Sequence, residues 1–446
     1  MSAASQTSSA GRVDWRLLAY NAVVMLGVPV LVSYALWRLV SRSKARGGWM
    51  QRLGFLNSSP PAGTRIWIHA VSAGEMQAAA PVCAALLENV PGCQLIISTT
   101  TPAGKKVALT RVPRAAAVVY FPLDFWPCVT RALNIVRPQA CLLMEKELWP
   151  NFLAAARLRR IPVAVLSARV SRRGLRRSMP VRGFLKWAMG FVRLFAAQTE
   201  RDARLLSYLG VPVEKIAVCG NVKFDQKLEP LSQQERQQFR ALLGIQENEP
   251  LIVAGSTHPG EEQALLEALS LVKETCPAVR LLIAPRHIER ASQIEAAIGR
   301  AGLRSLRRTQ ASGEPTSGNT VIILDTMGEL ARVYGLGDVG FVGGTLIPIG
   351  GHDLLQPVKH GQAVFFGPHT FNLPEVADAL IEAGVGFRIS NARELAEGFS
   401  ALLRNHDKRE EIRKAASAFL EKHRGASQRC AAAVSRLLGH APVPPC

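Results

Sequence analysis

The feature that most limits what this chain can fold into is a regular alternation of short, continuous apolar runs with longer runs of helical periodicity. In the first half, helices such as Glu75–Asn89 and Phe125–Val136 separate predicted strands at Arg65–Val71, Cys93–Thr99, Ala115–Phe121, Ala140–Met144 and Ile161–Leu166. Apolar strands that alternate with helices predict a parallel sheet covered on both faces. The first half is therefore predicted to be one doubly wound α/β domain.

The same alternation repeats in the second half, with helices at Glu261–Thr275, Glu289–Arg300 and Glu329–Tyr334. The strands predicted there are Leu251–Gly255, Val279–Ala284, Val321–Leu324, Val339–Val342, Ala363–Phe366 and Val385–Ile389. Two such domains in tandem predict an α/β chain of GT-B type, with two Rossmann-like domains facing a cleft. Two-domain dehydrogenases and periplasmic-type binding proteins share this broad plan, so architecture alone does not name a reaction.

We divide the chain into four predicted segments. Residues 1–48 form an amino-terminal tail and membrane anchor, 49–228 an acceptor-binding domain, 229–404 a nucleotide-sugar-binding domain, and 405–446 a helical tail. The anchor is predicted because no charge occurs between Leu17 and Trp37, a length that spans a hydrocarbon layer of about 30 Å as a helix. Basic residues follow this stretch, which favours an uncleaved anchor with the main body in the cytoplasm.

Charge indicates an anionic partner. The 54 basic and 34 acidic residues give a net charge of +20, which fits nucleic acid, a phospholipid surface or a phosphorylated substrate. A dense basic stretch with interleaved apolar residues lies between Arg157 and Lys186. Such a surface suits anionic lipid head groups, and the anchor favours lipid over nucleic acid.

The eight cysteines are scattered, without a Cys-x-x-Cys pair. This pattern indicates reduced thiols in a reducing compartment and argues against a structural zinc site.

Three carboxylates and a lysine follow strands of the first half. Glu75 comes after the first strand, Glu145 and Glu147 come after the fourth, and Lys223 lies where this half ends. Carboxylates gathered at the carboxyl edge of a sheet raise one another's proton affinity, so one of them can act as a base near neutral pH. The alternative is structural: Glu75 as a helix-terminus charge, the other two as caps or partners of Lys146, and Lys223 as a solvated surface residue.

Three turns of the second half suit a nucleotide. Arg286 and His287 follow one strand, Gly328 and Glu329 follow the next, and a glycine-rich run from Gly343 to Gln356 follows a third. Arginine binds phosphate through two parallel donors, Glu329 can accept from ribose hydroxyls, and the glycine-rich run can turn its N–H groups toward phosphate. The helix predicted to begin near Asp353 would add the positive end of its dipole. The glycine-rich run does not have the Gly-x-Gly-x-x-Gly pattern, and the chain has no Walker pattern and no Asp-x-Asp, so we predict neither a cofactor nor a metal.

Seven segments together resemble the 3-deoxy-D-manno-octulosonic acid (Kdo) transferases of Gram-negative bacteria. They are His69-Ala-Val-Ser-Ala-Gly-Glu, Thr99-Thr-Thr-Pro-Ala-Gly, Met144-Glu-Lys-Glu-Leu-Trp-Pro-Asn, Gly255-Ser-Thr-His-Pro-Gly-Glu-Glu, Pro285-Arg-His, Asp325-Thr-Met-Gly-Glu-Leu and Phe341-Val-Gly-Gly. The match runs in order through most of the chain and is specific to this family.

This resemblance implies an inner-membrane, inverting glycosyltransferase that moves Kdo from CMP-Kdo to a lipid A precursor, lipid IVA. Glu75 matches the general base, and Glu145 and Lys223 match positions that support the transition state. The implied nucleotide-binding residues are Pro285, Arg286, Met327, Gly328, Glu329, Asp353, Leu354, Leu355 and Gln356. Anionic inner-membrane lipids are implied as a further partner, and nucleic acid is not.

The sequence departs from the family pattern at two places. Lys146 stands where the family usually has Thr, and Gly350-Gly-His-Asp-Leu-Leu-Gln replaces Gly-Gly-His-Asn-Pro-Leu-Glu. Asp353 and Gln356 thus exchange acid and amide at nucleotide-contact positions. Two rival hypotheses stay open: a membrane-associated transferase that uses a UDP-sugar, like lipid A disaccharide synthase, and a tethered nucleic-acid-binding protein.

Overall fold

A computed structural model describes residues 14–27, 48–56, 62–145, 147–170, 175, 179–226 and 231–439. They form two units: the first lies within residues 1–226 and 424–446, and the second within 227–423. The predicted tail of 405–446 is therefore divided, because helix His406–His423 belongs to the second unit and helix Ala426–Leu437 to the first. The reason is burial: Cys430 and Val434 lie in the core of the first unit.

The first unit contains a seven-stranded sheet in which all neighbouring strands are parallel. Its strands are β1 Thr64–His69, β2 Cys93–Thr99, β3 Ala117–Tyr120, β4 Ala140–Met144, β5 Val163–Ala168, β6 Leu194–Ala197 and β7 Ile216–Val218. Their order is β3-β2-β1-β4-β5-β6-β7. All five predicted strands occur, and β6 and β7 are two strands that were not predicted. The order reverses between β1 and β4, which is where ligands bind in open parallel sheets.

Helices cover both faces of this sheet. They span residues 15–27, Trp49–Arg52, Ala73–Asn89, Pro102–Arg111, Trp126–Val136, Pro150–Leu158, Arg182–Met189, Glu200–Tyr208 and Ala426–Leu437. Successive residues of a strand enter opposite cores: Ile66 and Ile68 lie in one buried cluster, and Trp67 lies in the other. The Trp67 indole N–H donates to Ser98 Oγ at 2.8 Å, so the polar edge of this buried ring is satisfied. The prediction of a sheet covered on both faces is confirmed.

The second unit repeats the plan. Its strands are β8 Leu251–Thr257, β9 Arg280–Pro285, β10 Arg304–Arg307, β11 Thr320–Ile323, β12 Val339–Val342, β13 Ala363–Phe366 and β14 Gly386–Arg388. They form a parallel sheet in the order β10-β11-β9-β8-β12-β13-β14. All six predicted strands occur. The additional strand, β10, is a half-exposed edge strand that contains two arginines, so it has no apolar run to reveal it.

The helices of the second unit lie before, between and after these strands. They are Gln233–Leu242, Glu261–Thr275, Ala291–Arg300, Leu330–Tyr334, Leu355–Val358, Pro374–Glu382, Ala392–Leu403 and His406–His423. The helix Gln233–Leu242, which was not predicted, begins with a capping box between Ser232 and Glu235. It was missed because its exposed surface is rich in Gln and Arg rather than apolar residues.

Residues 15–27 form a helix that packs on the first unit through polar contacts. Tyr20 Oη donates to Asp124 Oδ2 at 2.9 Å, and the side-chain amides of Asn21 and Asn151 pair reciprocally at 2.9 Å. Large apolar residues such as Val23 and Leu26 are exposed. No helix among the described residues is both long enough and apolar enough to cross a membrane. Residues 28–37 of the predicted anchor lie outside the described part of the chain.

Candidate active site

Glu75 occupies the first turn of the helix that follows β1. Ser72 Oγ accepts the Glu75 N–H at 3.3 Å, and Glu75 Oε2 accepts the N–H of Val71 at 2.7 Å. The serine starts the helix by satisfying one of its free N–H groups, and the glutamate folds back onto the end of the strand. Glu75 Oε1 has no hydrogen bond among the described residues. One carboxylate oxygen is thus anchored, and the other is available to take a proton.

Glu145 and Glu147 approach Glu75 because β4 lies next to β1. Glu145 directly follows β4 with a left-handed backbone (φ 59°), and its N–H donates to Leu166 O at 2.9 Å. This conformation is uncommon for a residue with a side chain and turns the chain sharply at the sheet edge. The three predicted carboxylates therefore do gather at the edge where the strand order of the first unit reverses.

The proton affinity of Glu75 is raised by its surroundings. Burial raises its pKa from the ordinary 4.5 to about 7, and the charges of Glu145 and Glu147 add to this effect. The N–H of Val71 and the charge of Lys223 act in the opposite direction. Burial and then the charge of Glu145 also raise the pKa of Glu147. A carboxylate of this kind can both accept and release a proton near neutral pH.

Lys223 reaches the same group of carboxylates from the turn Val222–Asp225, with Nζ 3.5 Å from Glu145 Oε1. The carboxyl-terminal helix Ala426–Leu437 braces this turn. Asp225 accepts the N–H groups of Gly425 at 2.8 Å and Ser427 at 2.5 Å, so it caps that helix. Sequence reasoning missed the brace because its partners are separated by about 200 residues and form no local pattern.

In the second unit, four neighbouring strands end at the proposed nucleotide site. The order β11-β9-β8-β12 places the Met327–Glu329 turn, the Pro285-Arg286 turn and the glycine-rich run at one sheet edge. Arg286 is exposed directly after β9. Met327 is 70% exposed, and Gly328 has the left-handed φ of 93° that a side chain disfavours. Glu329 Oε1 accepts from Arg308 at 3.2 Å, so part of this carboxylate is already engaged.

Three N–H groups of the glycine-rich run face a carboxylate of the protein instead of being free for a phosphate. The fully buried Glu261 carboxylate accepts the N–H groups of Gly344, Thr345 and Leu346 at 2.8, 2.9 and 3.0 Å. These donors were expected to face a phosphate, and that expectation is corrected. An internal carboxylate already supplies their negative partner.

The helix after this run also differs from expectation. Leu355–Val358 has only four residues, and Asp353 Oδ1 accepts the N–H of Leu355 at 3.1 Å. Leu354 and Leu355 are 0% and 1% exposed, so their side chains pack in the core, and their part in nucleotide binding stays a prediction. Asp353 and Gln356 are partly exposed and remain candidates for nucleotide contact.

Two histidines that were not predicted lie at the same sheet edge. His258 directly follows β8 and His352 ends the glycine-rich run after β12, and their Nε2 atoms are 2.8 Å apart. His258 lies within a motif that was recognised, but nothing in the sequence relates it to a residue 94 positions later.

The described residues contain no group of three or more His, Cys, Asp or Glu side chains arranged to hold a metal ion. The seven described cysteines are free thiols, and Cys446 lies outside the described part of the chain. The expectation that no metal or cofactor is required stays a prediction.

Comparison with known proteins shows which family this chain resembles. Residues 47–226 match the model described as 3-Deoxy-D-manno-octulosonic-acid transferase (kdotransferase). A 3-deoxy-D-manno-octulosonic acid transferase of Haemophilus influenzae is 33% identical over 418 residues, which cover 93% of this chain and 97% of the relative. One of Bordetella pertussis is 33% identical over 433 residues, which cover 94% of this chain and 98% of the relative.

A solved glycosyltransferase of Rickettsia africae has a similar fold. It aligns with a TM-score of 0.61 at 13% identity, over 85% of this chain and 99% of that one. At this identity the likeness concerns the fold alone. It supports two parallel-sheet α/β units that resemble those of GT-B glycosyltransferases.

Proposed function

This chain belongs to the 3-deoxy-D-manno-octulosonic-acid transferase family and is therefore a glycosyltransferase, and we propose that it moves Kdo from CMP-Kdo to lipid IVA with inversion. An acceptor hydroxyl oxygen attacks the anomeric carbon of Kdo. The bond from this carbon to the phosphate oxygen breaks, and its electrons leave with CMP. The hydroxyl proton goes to a carboxylate of the protein.

The observation that supports this proposal most strongly is the state of Glu75. Its Oε1 is unbonded among the described residues, and its pKa is raised to about 7. An ordinary glutamate is too weak a base to take a proton from a hydroxyl, and raised proton affinity improves it as a catalyst near neutral pH. We assign Glu75 as the general base. Glu145 and Lys223 are assigned to transition-state support, since their ion pair sets the charge beside the base.

The donor nucleotide is assigned to the second unit. Arg286 supplies an exposed guanidinium for the phosphate, and Asp353 and Gln356 supply an acid and an amide for the nucleoside. Pro285 and the Met327–Glu329 turn complete this assignment. The acceptor is assigned to the first unit, which contains the base. No metal or cofactor is required in this scheme, because protein cations stabilise the leaving phosphate.

We assign the protein to the cytoplasmic face of the inner membrane, held by an amino-terminal anchor. The exposed apolar residues of helix 15–27 and the +20 net charge support this assignment. Both the acceptor and the inner-membrane lipids carry negative charge, so the basic surface favours their approach. Nucleic acid is not part of this proposal.

The test is to incubate the purified full-length protein with CMP-Kdo and tetra-acylated lipid A precursor, then record the mass spectrum of the lipid. We expect a discrete mass step for each added sugar. Glu75→Gln should abolish the step while CMP binding persists. Glu88→Gln is a matched control, because Glu88 is an exposed residue of the same helix. Near-normal transfer by Glu75→Gln would refute the assignment of the base.

A further inference from the structure

His258 and His352 lie on either side of the point where the strand order of the second unit reverses. The chain starts at β8, adds β9 on one side and later β12 on the other, and His258 and His352 follow β8 and β12. In open parallel sheets this position is where ligands bind. In the first unit, the corresponding position between β1 and β4 is occupied by Glu75 and Glu145. The two units therefore present acids and histidines at equivalent places.

The two imidazole rings lie side by side in one plane. Their planes differ by 3°, their centroids are 5.1 Å apart, and their Nε2 atoms are 2.8 Å apart. A centroid separation of 5.1 Å is the largest that this nitrogen–nitrogen distance allows, so both nitrogens lie on the line between the ring centres. The contact is a direct N–H···N hydrogen bond rather than a stack. Such a bond requires one protonated and one bare nitrogen, so the two Nε2 atoms share one proton.

The outer nitrogens of the pair are available to a ligand. Within the described part of the chain, neither Nδ1 atom makes a hydrogen bond, and neither is among the buried unpaired polar atoms. Both rings are partly exposed. The pair can thus present a ring N–H to an incoming group while Nε2–Nε2 contact is kept.

Among the charged groups around the His258–His352 pair, most are already partnered, and one cation is not. Arg290 is paired with Glu262 at 2.8 Å, and the exposed His287 and Glu289 pair at 3.4 Å. Glu261 is committed to the backbone N–H groups of the glycine-rich run and of His258. Asp353 accepts the N–H of Leu355, the first residue of the short helix after His352. The Arg286 guanidinium has no side-chain partner among the described residues, so the surroundings favour an anion.

The unliganded pair is held neutral by its surroundings. Burial lowers the pKa of His258, with further lowering by His287, Arg290 and Arg286 against the opposing charge of Glu262. Burial lowers the pKa of His352 to about 4, and His258, Arg286 and His287 lower it further against the opposing charge of Asp353. A bound anion would reverse the effect of these cations and raise the proton affinity of the pair.

We propose that the His258–His352 pair and Arg286 together bind the phosphate of the donor. The pair takes up one proton when this anion binds. The inference rests on the proposed function and adds two residues and a charge state to it. No covalent bond forms or breaks at the pair. One proton moves from solvent to an imidazole nitrogen, and the resulting N–H groups donate to phosphate oxygens. Three backbone donors of the glycine-rich run, those of Gly344, Thr345 and Leu346, are already occupied by Glu261.

Calorimetric titration of the full-length protein with CMP, and separately with cytidine, tests the proposal at pH 7 in two buffers of different ionisation enthalpy. We expect wild-type protein to take up protons with CMP and not with cytidine. His258→Asn and His352→Asn should each weaken CMP binding on the order of ten-fold, the effect of losing one charge-assisted hydrogen bond. Both should reduce proton uptake and leave cytidine binding unchanged. Ionisation of the free phosphate is common to all variants and cancels in the comparison.

His360→Asn is the matched control, because His360 is another half-buried histidine of the second unit and its Nε2 contacts Ala331 O at 2.6 Å. It should bind CMP as wild type does. Nitrogen-15 spectra of the wild-type imidazoles provide a test that needs no variant: CMP should shift the His258 and His352 signals toward the protonated form. Unchanged spectra, or asparagine variants with wild-type affinity and proton uptake, would overturn the proposal.

The two proposals can fail separately. If the histidine variants lose CMP binding but the wild-type protein transfers no sugar to lipid, the phosphate-binding role of the histidines is supported and the proposed acceptor is contradicted. If sugar transfer is normal but CMP binding does not depend on the histidines, the proposed function is supported and the phosphate-binding role is contradicted.

Discussion

Lys223 Nζ lies 3.5 Å from Glu145 Oε1, and Glu145 is also one of the charges that raise the pKa of Glu75. The lysine therefore acts on the base in two ways: its own charge lowers the pKa of Glu75, and it offsets the charge of Glu145. Removing either member of this pair should change the pH at which the base works. The sign of the change depends on which charge is removed.

The first prediction concerns the pH profile of the wild-type enzyme. Glu75 must be ionised to accept a proton, so kcat/KM should rise with pH and reach half its maximum at about 7. Lys223→Met should move this midpoint to higher pH, because a charge that lowers the pKa is lost. Glu147→Gln should move it to lower pH. Lys408→Met, at an exposed lysine of the second unit, should leave it unchanged; equal midpoints in all four proteins would contradict the prediction.

The second prediction is that the proposed base destabilises the fold above pH 4.5. The pKa of Glu75 is about 7 in the folded state and 4.5 in the unfolded chain, so between these values the folded state binds more protons. Stability from this group is complete below pH 4.5 and is lost as pH rises through 7. Glu75→Gln should therefore exceed wild type at pH 8 by roughly 1–2 kcal/mol in free energy of unfolding, after allowance for partial exposure.

Urea denaturation at pH 4.5 and pH 8 would measure this difference. The advantage of Glu75→Gln should disappear at the lower pH. Glu88→Gln should show no such dependence, since Glu88 is exposed. A constant difference across both pH values would show that the carboxylate is not responsible.

The third prediction distinguishes two roles of Asp225: stabilising a helix as its cap, and positioning Lys223. Asp225→Ala removes the cap of helix Ala426–Leu437 and should cost about 1 kcal/mol of stability. Asn391→Ala removes the cap of helix Ala392–Leu403 in the second unit and should cost about the same. Only Asp225→Ala should also reduce kcat, because only Asp225 holds the turn that contains Lys223. Thermal unfolding and steady-state kinetics of both variants provide the comparison, and equal loss of kcat would argue against the brace.

The fourth prediction concerns the carboxylate inside the glycine-rich run. Glu261→Gln places an amide NH₂ among the backbone N–H groups that now share two carboxylate oxygens. Leaving a buried donor without an acceptor costs about 1–3 kcal/mol, so denaturant unfolding should show a loss of this size. Glu267→Gln, at an exposed position of the same helix, should be close to wild type. Wild-type stability of Glu261→Gln would mean that these contacts contribute little.

The strands and the residues at their ends follow from local sequence. Continuous apolar runs located β4, β12 and β13 at their observed bounds, because a strand covered on both faces is largely apolar. In a parallel sheet, strand ends share an edge, so the placement of Glu75, Glu145 and Arg286 at their respective sheet edges followed as well. Edge strands such as β10 escaped detection, since one exposed side removes the apolar signal.

Contacts between distant segments required the tertiary structure. The His258–His352 bond joins residues separated by 94 positions, and the Asp225–Gly425 cap joins residues separated by 200. Such contacts depend on the order of the strands and on which distant segments pack together, and neither produces a periodic pattern in the sequence. The acceptor for the N–H groups of the glycine-rich run could not be predicted for the same reason. In the sequence, Glu261 resembles any other acidic residue in the first turn of a helix, and only the folded sheet places it beside Gly344.

What the sequence determined by itself is therefore the kind of fold and the chemical groups at each strand end, because both are encoded by neighbours along the chain. What only the tertiary structure decided is which of those groups meet and in what protonation state. Proton affinity is set by burial and by charges within a few ångströms, and these distances exist only once the strands have been ordered in the sheet.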